Sequence, residues 1–392
     1  MKLLQVGNIQ TESEKLKAML CIDADRPNEV MVHWWGEEAP AGAALTKVST
    51  TGDGMLNFSP FLLFKTNQNG GMILATPQEA SERGFFDYRM RLSADGDGLL
   101  GEWTHSSGKK GIASFSALAD TLSVQADKCD TWIEFKAWAT RCREDHDVMI
   151  YRGHGNSSFR LQTTLTRAGR NRLERYCAET LQTFRSHAEA LLGKRFNLND
   201  GEDYSTIIGL AQHHGLPTPL LDWTESPYIA AFFAFSDAIE AAGTRADASH
   251  VRVYGATRAF LEVSSPSSVM LPWVKPYVCS LSIPPRDNPR LYAQQGRFMV
   301  TNYPDAEGLI CALEARAQEK FLVAADIPIR CASQALEDLA FMGLTAGTMF
   351  PGLDGVCRMM RHAMIFKRPT APRPGNPLVD EQNNQANLLN SN

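Results

Sequence analysis

Gln212-His213-His214-Gly215-Leu216-Pro217-Thr218-Pro219-Leu220-Leu221-Asp222-Trp223-Thr224-Glu225-Ser226-Pro227 is the stretch on which the reading of this chain turns. It packs polar residues between apolar ones, which costs burial free energy unless the polar groups are paired or used. It ends as a helix begins. Ser226 has the chemistry of an N-cap, Pro227 suits the first helical position, and the apolar run to Phe235 carries the helix onward.

Two shorter segments share this character. In Tyr151-Arg152-Gly153-His154-Gly155 a strand runs into an arginine flanked by glycines, small enough to let a ligand's phosphates approach the backbone. An arginine at a strand end can equally be a solvated one. Leu291-Tyr292-Ala293-Gln294-Gln295-Gly296-Arg297-Phe298 is a polar turn leading into a strand, and by itself an ordinary hairpin corner. His213, His214 and Asp222 do not suggest a metal site: adjacent histidines point in different directions, and no cysteine or third histidine stands at a ligand spacing. Their plainer reading is imidazoles hydrogen-bonded to backbone beneath the following helix. No Gly-x-Ser-x-Gly elbow supports a serine hydrolase.

On either side of these segments the pattern divides the chain. Residues 1–118 read as a small antiparallel β domain, a sandwich or barrel. Its strands are expected at Val30 to Trp35, Gly54 to Lys65, Gly71 to Ala75, Phe86 to Leu92, Leu99 to Trp103 and Gly111 to Phe115, between Gly, Asn and Asp turns. Residues 119–130 read as a linker. From Trp132 the apolar spacing becomes helical, and 131–368 reads as a mixed α+β domain. Its helices are expected from Arg172 to Leu192, up to Gln212, from Ser226, at Ser333 to Phe341 and at Gly352 to Met364. Its strands are expected at Val148 to Arg152, Val251 to Tyr254, Phe260 to Val263, Val278 to Ile283, Phe298 to Asn302 and Phe321 to Ile327. Residues 369–392, with Pro, Asn and Gln but no aromatics, read as a disordered tail.

Composition narrows the function classes. The chain has 392 residues, 44% hydrophobic and 21% charged, enough to bury a core. Its longest unbroken apolar run, Tyr228 to Phe235, is too short for a bilayer. No secretory leader is evident, and eight scattered cysteines without a Cys-x-x-Cys pair fit buried thiols in a reducing cytosol, so the expected location is cytoplasmic. A formal charge of −5 gives no global pull toward nucleic acid or membrane. Locally, Arg160 to Arg195 holds eight Arg or Lys against three Glu, and Val356 to Arg373 five basic residues with no acidic ones. Such runs are usually solvated helix faces.

Taken in order, the three segments resemble the bacterial FRG domain, whose Phe-Arg-Gly signature stands here as Tyr151-Arg152-Gly153. The resemblance spans roughly residues 131 to 366. The middle motif is specific, Gln294-Gln295-Gly296-Arg297-Phe298 fits a later motif, and Met349-Phe350-Pro351-Gly352-Leu353-Asp354-Gly355 resembles the closing segment. Tyr151 replaces the leading Phe, and Pro219 stands where many members carry a basic residue. The amino-terminal β domain lies outside the resemblance.

The layout is also similar to that of ADP-ribosyltransferases, a split sheet with flanking helices. That likeness implies NAD as cofactor and a toxin-like or phage-defence effector. Under it Tyr151, Arg152, Gly153 and His154, with His213 and His214, would hold the pyrophosphate and nucleotide. Thr224 and Ser226 would brace the nicotinamide site, and Gln295, or Gln294, would contact the ribose. The usual residue at that last position is glutamate, whose charge a glutamine lacks, and the negative charge would come from elsewhere, such as Asp222 or Glu225. The competing expectation is a nucleotide- or nucleic-acid-binding module without catalysis. A third makes the β domain a protein-interaction or sensor module that restrains the second domain.

Overall fold

The computed structural model describes residues 2–366 except 69, 83, 119–121, 242–247, 265–271 and 284–288. The expected disordered tail lies outside the described residues.

The first nine strands are β1 (Leu4–Gln10), β2 (Lys15–Ile22), β3 (Glu29–Trp35), β4 (Gly42–Thr50), β5 (Leu56–Thr66), β6 (Met72–Leu74), β7 (Arg89–Asp95), β8 (Gly98–Thr104) and β9 (Lys110–Ala117). Eight of them pair antiparallel in the order β4-β3-β2-β1-β9-β8-β7-β5. Pairing of β4 with β5, from Gly42 opposite Lys65 to Thr50 opposite Leu56, closes the ring into a barrel, and β6 is added outside β5. Closure leaves no free edge. Ala18, Leu20, Val30, Val32, Phe58, Leu92 and Phe115 fill the interior.

The neighbouring positions on β2 to β4 are buried too. Met19, Cys21, Met31, Ala43 and Leu45 point outward and pack with Val274 and Tyr303 from the second half of the chain. Strands β1, β2 and β4 were not expected from the sequence. The strand expected from Phe86 begins only at Arg89, because Phe85–Asp87 forms a 3-10 turn.

A second sheet comprises β10 (Ala126–Lys128), β11 (Val148–His154), β12 (Leu220–Thr224), β13 (His250–Thr257), β14 (Val278–Leu281), β15 (Gly296–Thr301) and β16 (Leu322–Pro328), in the order β10-β16-β13-β11-β12-β15-β14. Only β10 runs parallel to its neighbour, β16. Part of the stretch expected to be a linker is therefore an edge strand of this sheet. Period-two alternation sorts side chains to opposite faces. Val251, Val253, Val323, Ala325 and Ile327 meet the helices Trp132–Asp145, Pro227–Glu240 and Ala332–Phe341 on one face, while Tyr254, Ala256, Leu322 and Ala324 meet Phe260, Ile310 and Phe321 on the other. The helix expected from Arg172 contains one π turn, Tyr176–Thr180.

The segment expected as a strand from Phe260 is a helix, Arg258–Val263. Thr257 caps it by accepting a hydrogen bond from Phe260 N–H at 3.3 Å. The cap overrides the β-prone composition.

Barrel and second sheet meet along an ionic seam. Asp23, buried after β2, accepts bonds from the N–H groups of Asn171 and Arg172 and from the Arg175 guanidinium, all at 2.8–2.9 Å. Arg175 also grips Asp25 and Glu179, and Arg172 bonds Glu29 and Glu174. Arg170, Arg172 and Arg175 of the basic run from Arg160 are thus matched by acids of the barrel. All eight cysteines are free thiols. Among the described residues no helix is long and apolar enough to cross a membrane.

Candidate functional site

Strands β11 and β12 share one registered pair, Tyr151 opposite Thr224, where β11 and β13 share six. A cavity of about 760 Å³ lies at this weak join, lined by the ends of both strands, by one side of the Pro227–Glu240 helix and by the Gln294 turn. It gathers Tyr151, Arg152, Gly153, His154, His213, Asp222 and Thr224, residues spread over more than seventy positions.

Arg152 bridges the join. Its NH1 donates to the Asp222 backbone carbonyl and stands 3.9 Å from the Asp222 carboxylate, while its Nε donates to His154 Nε2 at 3.1 Å. Because Nε2 accepts, the His154 proton sits on Nδ1, which faces the Phe159 carbonyl at 3.3 Å. Burial first, and then the Arg152 charge, push the His154 pKa down to about 3, so the ring is neutral. Desolvation also lowers the Arg152 pKa, partly offset by Asp222. The same Asp222 oxygen, Oδ2, accepts from Gln212 Nε2 at 2.7 Å, and Gln212 in turn accepts from Thr218. Gln212, Thr218 and Asp222 of the 212–227 stretch are thus paired with one another.

The glycines of the Arg152 segment serve another purpose than the one expected. A Cβ on Gly153 would lie 1.9 Å from the Ala230 carbonyl, and one on Gly155 would lie 2.3 Å from the Asp237 carboxylate. Both admit the Pro227–Glu240 helix against the strand rather than a phosphate against the backbone. Thr224 is buried, donating to the Gln294 carbonyl at 2.8 Å. With the Glu225 N–H bond to the Gln295 carbonyl at 3.1 Å, this stitches the turn to the end of β12.

Several expected site residues lie elsewhere. Gln295 is exposed in the left-handed region, φ 47°, and does not line the cavity. Its neighbour Gln294 does, donating from Nε2 to the Met349 carbonyl at 3.0 Å. The turn geometry decides which glutamine points inward. Ser226 is spent as the N-cap, accepting from Ile229 N–H at 3.3 Å. His214 is exposed with its ring against His213, and Tyr151 belongs to the helix-side core as well as the wall. Glu225 pairs with Arg297 away from the cavity.

Other lining residues had no clear sequence signal. Arg160, Arg167, Arg290 and Arg358 join Arg152, against Asp222, Asp237 and Glu240. Arg160 and Arg167 stand in the basic run from Arg160 and Arg358 in the run from Val356, but neither run shows that they meet Arg152 and Arg290 around one cavity. Arg290 and Arg358 both stack on Phe350, at 4.8 and 4.4 Å, and Arg358 also meets Glu240 at 3.1 Å. Arg160 is tied to Asp305 at 2.8 Å. Two buried polar atoms of lining residues, Trp223 Nε1 and Ser236 Oγ, have no hydrogen-bond partner. Among the described residues no cluster of three His, Cys, Asp or Glu could hold a metal ion.

Comparison with known families matches residues 147–242 to the FRG domain. The match takes in Arg152, His154, His213 and Asp222, while Gln294, Arg290, Phe350 and Arg358 complete the same cavity from beyond it. No curated protein and no solved structure matches the chain. Residues 147–242 are an FRG domain.

Proposed function

We propose that this FRG domain binds an anionic nucleotide, NAD foremost, in the cavity beside Arg152, and acts on it as an ADP-ribosyltransferase-like effector of the toxin or phage-defence kind. The observation that carries the reading is five arginines from three separated stretches of chain around one cavity with three carboxylates. Guanidinium groups suit diphosphates because they bond bidentately and stay charged. About 760 Å³ falls within the range of cofactor pockets.

NAD, when bound, supplies an ADP-ribosyl group whose leaving group is nicotinamide. In this reading Arg167, Arg290 and Arg358 hold the phosphates. Arg152 fixes the Asp222 backbone and keeps His154 neutral, so its task is positioning. Asp222, oriented by Gln212, gives the negative charge that stabilises positive charge developing at the ribose, a task Gln294 cannot perform. A second reading, binding without turnover, is favoured by the Gln294 amide being engaged with the Met349 carbonyl where a carboxylate would be wanted.

Incubation of the purified chain with NAD, following nicotinamide release, separates the two. Turnover that Asp222→Asn lowers by about 10²-fold or more supports catalysis. Tight NAD binding with no release leaves the binding module, and turnover unchanged in Asp222→Asn removes its assigned part.

A further inference from the structure

The barrel has an unfilled inner end. A cavity of about 300 Å³ opens there, a volume equal to about ten waters at roughly 30 Å³ each. Val32, Phe58, Met90 and Trp103, all buried, form its inner surface, with Trp34 and Tyr88 nearer the mouth. The full lining comes from seven strands, β1 to β5, β7 and β8, and the turn before β7, so it follows from barrel closure rather than from one apolar segment.

Two features of β4 and β5 keep the space open. Leu45 pairs with Leu62 but Thr46 pairs with Pro60, so Phe61 is an extra residue. Such a bulge re-aims side chains. Phe61 packs in the outer cluster, leaving Pro60 and the small Ala44 on the inner wall.

Three of the cavity's polar side chains already spend their donors. Trp103 Nε1 donates to the Gln10 carbonyl at 2.8 Å, Thr46 Oγ1 to the Val30 carbonyl at 2.9 Å and Thr11 Oγ1 to the Glu14 carbonyl at 2.8 Å. The lining's one charged residue, Arg89, is exposed, its NH1 on the Phe86 and Tyr88 carbonyls. Water inside would find few partners, and an anion would find no buried counter-charge. An eight-stranded barrel has the girth to hold one small ligand.

We infer that the barrel interior is a binding site for a compact, uncharged, mostly apolar small molecule, independent of the nucleotide cavity. Its probe is 1-aminoanthracene, uncharged near neutral pH, titrated by fluorescence into the full chain. The wild type should bind it saturably at one site. Ala44→Phe places a ring in the cavity and should weaken binding about tenfold or more without lowering the unfolding midpoint. Absence of saturable binding, or equal binding by folded Ala44→Phe, overturns the proposal. Should Ala44→Phe lower the midpoint, the same comparison is made with Leu63→Trp, and retained binding there overturns the proposal equally.

Discussion

Arg152 and His154 form a unit whose state is set by burial. The imidazole is neutral in the fold, with its pKa near 3, and in the unfolded chain it returns to about 6.5. Between those values only the unfolded state takes up the proton, so this contribution to stability is whole above pH 6.5 and is lost as the pH falls toward 3. Buried His33, near 4 and facing the Val274 carbonyl, acts in the same direction. Unfolding free energy measured by denaturant between pH 7 and pH 4 should therefore fall on acidification. His154→Gln should remove up to ~1.4 kcal/mol per pH unit from that slope; identical slopes would mean that the ring is not held neutral. The sequence marked Arg152 and His154 through the flanking glycines at a strand end and Asp222 through its polar neighbours. It did not separate Gln294 from Gln295, because adjacent residues in a turn differ by a backbone angle that composition does not record.

At the scale of elements, the seat of the Pro227–Glu240 helix on β11 is the contact that shapes the cavity. Gly153→Ala would drive a methyl into the Ala230 carbonyl, and the helix must shift or the strand bend. We expect a loss of about 3 kcal/mol, read as a lower denaturant midpoint at unchanged slope. A wild-type midpoint would show that the helix yields without cost. Ser226-Pro227 announced this helix because cap and proline chemistry are local. Strand β2 gave no such sign. Its Leu16, Ala18, Met19, Leu20, Cys21 and Ile22 are buried on both faces, against the barrel interior and against the second half, so alternation disappears. Strand β4 is hidden for another reason: Gly42, Ala43 and Ala44 lack the branched side chains by which strands are read.

Across the whole molecule, the barrel and the second sheet are joined by buried charge. Asp23, Arg172 and Arg175 make most of their bonds across the seam, as does Glu29, and the Met72 N–H bonds the Pro272 carbonyl. This arrangement could not be foreseen from the run of arginines alone, because its acidic partners lie some 150 positions earlier in the chain. The cavity proposed to bind a nucleotide is likewise a product of tertiary assembly, its arginines drawn from three separated stretches of chain. Isothermal titration of the wild-type chain with NAD tests this most directly. Saturable binding that weakens with added salt and is lost in Arg167→Glu, an exposed position whose change spares the core, is the predicted result. No binding to the folded wild type, or binding that Arg167→Glu leaves unchanged, would contradict it.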